Sequence, residues 1–208
     1  MSVINSPPST TTDVKPDNIL VDWEADDTGH KTVARAALVD FDLAFHPPPG
    51  KRLDMPYPLG NVMWRSLEGQ TGKGMTSASD VFSFGLVCIY ALGSGDMLLD
   101  NVDELAKNSI PPGQEILTRH FSYFGPATRG LLEQVGDEVW CKALRGVSAA
   151  ADKVLRDNPG LRFTEWGQVL GPAAVDLISG MTNPDPTARL TMEQVLAHPW
   201  WQEEEEED

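Results

Sequence analysis

The sequence is poor in the residues from which disulfide frameworks, metal centres and nucleic-acid-binding surfaces are built. It has two cysteines and four histidines in 208 residues. These are too few and too scattered for a disulfide scaffold or a zinc site. Its 16 Lys and Arg residues are outnumbered by 31 Asp and Glu residues, which gives a formal net charge of −15. Because clustered basic residues are needed to displace counterions from a phosphate backbone, we expect no nucleic-acid partner.

Long apolar runs and a signal peptide are missing as well. No stretch reaches the roughly 20 apolar residues that a membrane-spanning helix requires. The first residues, MSVINSPPSTTT, lack the basic and apolar regions of a secretory signal. Cys88 lies in an apolar run and Cys141 in a helical pattern, as expected of buried, reduced thiols. We therefore expect an intracellular protein of the cytoplasm or nucleus with no membrane contact.

The two ends differ in composition from the segment between them. Residues 1–12 are rich in Ser, Thr and Pro, and residues 203–208 are all acidic. Both compositions are typical of disorder, although an acidic run can also bind a basic partner. With 41% hydrophobic residues, the chain has enough apolar side chains for one buried domain. We predict a disordered segment 1–12, a folded domain over 13–201 and an acidic, disordered tail over 202–208.

Local signals between the two ends predict a β-hairpin, then a long loop, then helices. The runs NILVDW and VARAALVDF flank the polar EADDTGHK, which predicts two antiparallel strands. The proline-rich HPPPGKRLDMPYPLG predicts a loop. The run TSASDVFSFGLVCIYALG predicts a helix that is capped by Ser77 or Ser79 and is apolar on every side. A helix of this kind must be buried, so the predicted fold class is mainly α, of α+β type, around a buried central helix.

The stretch DVKPDN, from Asp13 to Asn18, places two acids, a lysine and an amide within six positions. On its own it fits a surface turn equally well, because Asp, Asn and Pro are turn formers. It is followed, however, by Asp40-Phe41-Asp42, by SDVFSFG and by NPDPTARLTMEQVLAHPW. In this order, the four motifs resemble the C-terminal lobe of a Ser/Thr-type eukaryotic protein kinase. The stretch 101–171 matches that pattern weakly.

The resemblance implies roles for four residues in the transfer of a phosphoryl group from ATP to a protein hydroxyl. In the family, an Asp in this loop accepts the proton of the substrate hydroxyl and a nearby Lys contacts the transferred phosphate. Catalytic roles are thereby implied for Asp13 and Lys15. Asn18 and Asp40 are implied as the oxygen ligands of Mg²⁺. ATP, Mg²⁺ and a protein substrate or docking partner are the expected ligands, with Ser or Thr as the acceptor.

The resemblance also implies an activation segment and two structural residues. The activation segment would include Asp40, Phe41, Asp42, Asn61 and Glu68. Asp80, which opens the apolar helix, would bond the backbone of the catalytic loop, and Arg189 would form a buried ion pair with Glu68. Without the resemblance, Asp80 would only favour the helix N-terminus, and Glu68 and Arg189 would be two solvated charges.

Five positions depart from the family's pattern. Asp42 stands where the family usually has Gly, which tolerates left-handed backbone angles more readily. Asn61 replaces a Thr that bridges the catalytic Asp and Lys, and an amide can hydrogen-bond both of these groups. Leu67 replaces a Pro. Thr11 and Thr12 replace a His and an Arg. Without that Arg, the pocket that binds a phosphorylated activation loop lacks its main cation, so we do not expect control by phosphorylation of the loop.

The parts of the family that grip the nucleotide are not recognisable. Only twelve residues precede Asp13, and a Gly-rich loop, a strand lysine and a helix glutamate cannot fit within them. We therefore expect the chain alone to be catalytically incompetent, with its N-terminal lobe supplied by a longer product or in trans. The alternatives are a pseudokinase-like or truncated protein-binding module, and a start methionine that comes from an incomplete gene prediction.

Overall fold

A computed structural model describes residues 13–45, 48, 51–94 and 102–202. The predicted disordered segment 1–12 and the acidic run 203–208 lie outside the described residues. Gln202, assigned above to the tail, ends a short 3-10 helix over Pro199–Gln202.

The described chain is mostly helical and carries a two-stranded antiparallel sheet, which confirms the predicted fold class. Strand β1 (Ile19–Ala25) pairs with β2 (Lys31–Leu38), from Ile19 opposite Leu38 at one end to Ala25 opposite Lys31 at the other. A bulge interrupts the register between Asp22 and Trp23. Most side chains of both strands are exposed, so the hairpin lies on the surface of the helical body.

The helices follow the loop, as the order of local signals predicts. Within the described residues they are α1 (Ser77–Ile89), α2 (Val102–Lys107), α3 (Pro112–Phe124), α4 (Arg129–Val135), α5 (Glu138–Asp157), α6 (Gly167–Leu170), α7 (Pro172–Met181) and α8 (Met192–Leu196). Helix α8 begins with a capping box in which the side chains of Thr191 and Gln194 each accept a backbone N–H. None of the described helices is long and apolar enough to cross a membrane.

The N-cap of α1 is Thr76, one residue before the predicted candidates. Its hydroxyl accepts the N–H of Ala78, and Ser79 Oγ accepts the N–H of Thr76 over 3.1 Å. The prediction was wrong because Thr76, Ser77 and Ser79 are all good caps, and only the extended backbone of Thr76 decides among them.

Helix α1 lies between two groups of buried side chains. On one side are Leu67, Phe82, Leu86, Leu117, Phe121, Leu131 and Leu144; on the other are Val81, Ile89, Phe163, Leu177, Ile178, Met181 and Val195. Phe82 and Ile89 have no exposed surface. The buried central helix is therefore present. The proline-rich loop is tied to the start of α1 by backbone hydrogen bonds between Leu53 and Met75.

The apolar run TSASDVFSFGLVCIYALG, which forms α1 and the turn after it, is not fully buried, contrary to the expectation that it is buried on every side. Phe84 is half-buried, and Tyr90 and Leu92 remain 47% and 39% exposed. The run leaves the α-helix at Tyr90 and continues as a π turn in which Gly93 has a φ of 90°. Hydrophobic composition predicted the helix but could not show that Phe84 borders an open cavity.

Candidate active site

The segment from Asp13 to Asn18 folds back on itself, so that its polar side chains meet. Pro16–Asn18 form one 3-10 turn, and the N–H of Asn18 donates to the carbonyl oxygen of Lys15 over 3.1 Å. Lys15 Nζ lies 2.7 Å from Asp13 Oδ2. Asn18 Nδ2 donates to the main-chain oxygen of Asp13 over 2.9 Å and to its Oδ2 over 3.3 Å. The three residues that the motif singled out therefore form one hydrogen-bonded group.

A distant segment completes the environment of the Asp13 carboxylate. The N–H of Asn61, 48 positions along the chain, donates to Asp13 Oδ1 over 2.8 Å. Partial burial raises the pKa of the Asp13 carboxyl, but the hydrogen bonds from Lys15 and the Asn61 N–H outweigh it and hold that pKa below its ordinary value. The carboxylate is thus ionised and fixed in orientation at neutral pH, as a proton acceptor must be.

The hairpin brings Asp40 back to Asn18. The N–H of Val39 donates to the carbonyl oxygen of Asn18 over 2.9 Å, directly before Asp40. Asp40 has a φ of 61°, in the left-handed region, and its side chain is exposed. The hydrogen bond to Asp13 raises the pKa of the Lys15 ammonium, and the charges of Asp13, Asp17 and Asp40 raise it further. Asp40 therefore lies on the same surface as the Asp13 group.

The donor atoms at this surface fit a magnesium ion that is held partly by phosphates. Asn18 uses its Nδ2 for Asp13, and its Oδ1 accepts no hydrogen bond from the described residues. Asp40 adds a carboxylate that forms no ion pair with another of the described residues. No group of three His, Cys, Asp or Glu residues that could hold a metal occurs among the described residues. One amide and one carboxylate oxygen match Mg²⁺, which commonly takes few protein ligands and completes its shell with phosphate oxygens and water.

The tripeptide Asp40-Phe41-Asp42 adopts a turn that does not require glycine at its third position. The N–H of Ala44 donates to the carbonyl oxygen of Phe41 over 2.8 Å. Asp40 and Ser109 are the described non-glycine residues with positive φ, and Asp42 is not among them. Asp42 therefore does not have to adopt the left-handed backbone that Gly tolerates more readily. Phe41 is 53% exposed.

Asn61 contacts Asp13 through its backbone instead of its side chain. Its Oδ1 accepts the N–H of Met63 over 2.9 Å, which closes a local turn. The amide side chain, which is able to hydrogen-bond both Asp13 and Lys15, is used for this local turn instead. An Asn side chain hydrogen-bonds readily to the backbone two residues further along, and here that local bond prevails.

Glu68 and Arg189 form the predicted buried ion pair, although 121 residues separate them. Arg189 Nη1 and Nη2 lie 2.6 and 2.8 Å from Glu68 Oε1 and Oε2, and neither side chain is exposed. Ser79 Oγ donates to Glu68 Oε1 over 2.8 Å, and Arg189 Nε donates to the Asn183 carbonyl over 2.8 Å. Burial raises the Glu68 pKa, but the charge and hydrogen bonds of Arg189 outweigh it and keep that pKa below its ordinary value.

Two residues that the motifs did not point to occupy notable positions. Arg65 donates to two consecutive carbonyls in the segment that carries Asn61. His120 is fully buried beside the ion pair, and both of its ring nitrogens lack a hydrogen-bond partner among the described residues. Neither residue belongs to a recognisable spacing, because both act through contacts that only the folded chain creates.

Asp80, Val14 and Ile19 border an open apolar groove. Asp80 lies in the first turn of α1, half-buried. A cavity of about 330 Å³ is lined by Val14, Ile19, Ala36, Ala37, Leu38, Asp80, Phe84 and Met192. A second cavity of about 340 Å³ shares Phe84 and Met192 and is also lined by Leu196 and Trp201. The hairpin and α8 thus leave one flank of α1 uncovered in the described structure.

Comparison with protein families and curated sequences gives a consistent result. The family model described as "Protein kinase domain" matches residues 10–201. Calcium-dependent protein kinase 20 of Oryza sativa subsp. japonica is 28% identical over 186 residues, which cover 84% of this chain and 30% of that protein. Calcium-dependent protein kinase 8 of the same organism is 36% identical over 151 residues, which cover 67% of this chain and 26% of that protein. The chain spans less than a third of the length of these relatives.

Solved structures show the same fold at lower identity. A MAP kinase from Leishmania major superposes with a TM-score of 0.55 at 19% identity, over 92% of this chain and 44% of that one. A chain of the CAK complex from Chaetomium thermophilum, bound to ATP-γ-S, superposes with a TM-score of 0.57 at 20% identity, over 96% of this chain and 54% of that one. At these identities the likeness shows the fold alone.

Proposed function

Because the chain belongs to the protein kinase domain family, we propose that it carries the hydroxyl- and metal-binding half of a Ser/Thr-type phosphotransfer site. The arrangement of Asp13 is the observation that carries the proposal. Its carboxylate is ionised and is fixed by Lys15, Asn18 and the Asn61 N–H. A general base must be fixed within hydrogen-bond reach of the proton it accepts, and phosphoryl transfer depends mainly on such positioning.

Each proposed role follows from the chemistry of one side chain. Asp13 accepts the proton of the Ser or Thr hydroxyl, and Lys15 neutralises charge on the transferred phosphoryl group. Asn18 Oδ1 and the Asp40 carboxylate hold Mg²⁺, which, when bound with ATP, neutralises the phosphate oxygens. The similarity to calcium-dependent protein kinases supports a protein hydroxyl as the acceptor.

The proposal assigns a C-lobe-like role to residues 13–201. The described residues supply ligands for the metal but contain no Gly-rich strand pair to cover the phosphates. Since Mg²⁺ is held jointly by protein and phosphates, we expect the 208-residue polypeptide alone to bind Mg-ATP weakly and to transfer no phosphate. Positioning can account for about 7–11 kcal/mol of barrier lowering, so a half-site loses most of its rate.

The test is to measure ATP affinity and peptide phosphorylation for the polypeptide and for a fusion that carries a kinase N-terminal lobe before Thr11. The Asp13→Asn fusion is the matched control, because it keeps the shape of the side chain and removes the base. Turnover by the first fusion and none by the control is the expected result. Turnover by the polypeptide alone would contradict the half-site.

A pseudokinase-like, protein-binding module is the second candidate, and the open groove beside Phe84 and Met192 favours it. An exposed apolar surface of this kind is typical of a protein interaction site. If the fusion binds Mg-ATP but transfers no phosphate, this second candidate replaces the first.

A further inference from the structure

The segment from Leu59 to Arg65 is closed by one guanidinium group. Arg65 Nε donates to the carbonyl oxygen of Leu59 over 2.7 Å, and its Nη2 donates to the carbonyl oxygen of Gly60 over 2.5 Å. Gly60 has a φ of 75°, which glycine adopts without strain. A rigid, planar fork thus fixes two successive carbonyls whose backbone makes a sharp turn.

The Gly60 carbonyl belongs to the same peptide unit as the N–H of Asn61. Because the six atoms of a trans peptide lie in a plane, the C=O and the N–H point in opposite directions. A group that holds the Gly60 oxygen therefore determines where the Asn61 N–H points. That N–H is the one that donates to Asp13 Oδ1 over 2.8 Å.

The far side of Asn61 is fixed as well. Its Oδ1 accepts the N–H of Met63 over 2.9 Å, and its carbonyl oxygen accepts the N–H of Trp64 over 3.1 Å. This turn returns the chain to Arg65. The peptide unit is consequently held from both directions, by the guanidinium before it and by the turn after it.

We propose that Arg65 is a positioning residue for Asp13, which it orients through the Gly60–Asn61 peptide plane. The inference rests on the proposed function, since it concerns the orientation of the proposed base. The Asn61 N–H holds Oδ1, while Lys15 and Asn18 hold Oδ2, so both oxygens of the carboxylate are fixed in one orientation. Arg65 thereby orients Asp13, a task that the side chain at position 61 does not perform here.

The experiment compares the full chain with its Arg65→Lys variant by amide hydrogen exchange, read residue by residue by NMR. Lys keeps the positive charge, but its single ammonium cannot hold both carbonyls in one plane. We expect exchange at the Asn61 amide to accelerate by about tenfold or more, with no acceleration inside α1. Arg162→Lys is the matched control, because Arg162 Nη1 also donates to a carbonyl, that of Phe121, over 2.9 Å. It should leave the Asn61 amide unchanged.

Two further variants keep the test decisive. Asp13→Ala removes the acceptor and should accelerate exchange at Asn61 at least as much as Arg65→Lys does. Asn61→Ser keeps a side-chain oxygen for the Met63 N–H and should keep the backbone amide of residue 61 protected from exchange. Asn61→Ala lacks that oxygen and should lose this protection. Unchanged protection at Asn61 in Arg65→Lys, or equal acceleration throughout α1, would overturn the inference. The exchange measurement does not need turnover, so failure of this inference is distinct from failure of the proposed function.

Discussion

Glu68 and Asp13 are both carboxylates held by a cationic side chain, but they lie in regions of the molecule that differ in most other respects. The side chains of Glu68 and Arg189 have no exposed surface, and two nitrogens meet two oxygens in a bidentate pair at the start of α1. Asp13 and Lys15 meet through one oxygen at a surface that also carries Asp40. The difference teaches that the interior pair holds elements together, while the surface pair leaves atoms available for a ligand.

The largest effect is expected from breaking the interior pair. Glu68→Ala or Arg189→Ala should each lower the free energy of unfolding by roughly 3–5 kcal/mol, because either change leaves a buried charge without its partner. The double variant should cost much less than the sum of the two. Urea melts of the three variants provide the measurement. Additive costs would show that the two side chains do not depend on each other.

The matched control for this pair is a second Arg–Glu contact that lies in solvent. Arg129 Nε is 2.6 Å from Glu133 Oε1, as close as the interior pair, but the two side chains are 90% and 63% exposed. Arg129→Ala should therefore leave the urea midpoint unchanged, since an exposed pair is screened by water and salt. A large loss here would mean that distance, and not burial, decides the cost.

A second comparison sets two phenylalanines of α1 against each other. Phe82→Ala should cost roughly 3–5 kcal/mol, because Phe82 is fully buried against Phe124 and the Arg189 guanidinium. Phe84→Ala should cost clearly less, because Phe84 already borders the open groove. The same urea melts measure both. Equal costs would indicate that the groove is closed in solution.

The difference in burial between Phe82 and Phe84 shows how much of the structure the sequence can predict. The hairpin and α1 were predictable, because alternation and a continuous apolar run are local signals. The ion pair between Glu68 and Arg189 followed from the resemblance and from no local pattern. The exposure of Phe84 could not be predicted, since a hydrophobic run does not show which of its faces lacks a neighbour.

The helical region after α3 gives a second instance of this limit. Its apolar residues from Leu131 to Val147 have the spacing of one helix face, but Gly136 ends α4 with a φ of 63° and Asp137 caps α5. As a result Val139 is 79% exposed. The Gly-Asp pair was a usable signal for two helices. The contacts of Arg65 and the Asn61 N–H had no such signal, because they depend on segments that meet only in the folded chain.

The third prediction concerns pH and the interior region. Burial and, secondarily, the Arg189 charge lower the pKa of His120 to about 3, although the Glu68 charge opposes this. In the unfolded chain the histidine has its ordinary pKa of 6.5, so stability is fully present above that pH and is lost as the pH falls towards 3. The loss should reach about 2 kcal/mol at pH 5.

The measurement is a series of urea melts between pH 8 and pH 5 for the original chain and for His120→Phe. The phenylalanine packs against Phe82 and Phe124, the present neighbours of the imidazole, and cannot take up a proton. The variant should lose most of this pH dependence. His30→Asn, at an exposed position of the hairpin turn, should keep it. An unchanged slope in His120→Phe would assign the dependence to other groups.

The smallest effect is expected at the candidate active site, from an exchange that has an equivalent in the interior. Glu68→Gln and Asp13→Asn both replace a carboxylate by an amide of the same shape. The first presents Arg189 with a neutral amide where no water can reach, and should cost several kcal/mol. The second lets Lys15, whose side chain is 18% exposed, turn towards solvent, while the new amide oxygen still accepts the Asn61 N–H. We expect a loss below about 1 kcal/mol at pH 7.

Because the Asp13 pKa is held below its ordinary value of 3.8, the stability that the carboxylate contributes is present above that pH and is lost only on further acidification. The difference in stability between the original chain and Asp13→Asn should therefore stay constant from pH 7 to pH 5, because the pH dependence that His120 causes is the same in both. Urea melts at these two pH values measure it, and a loss as large as that of Glu68→Gln would show that Asp13 supports the fold in the same way as the interior pair.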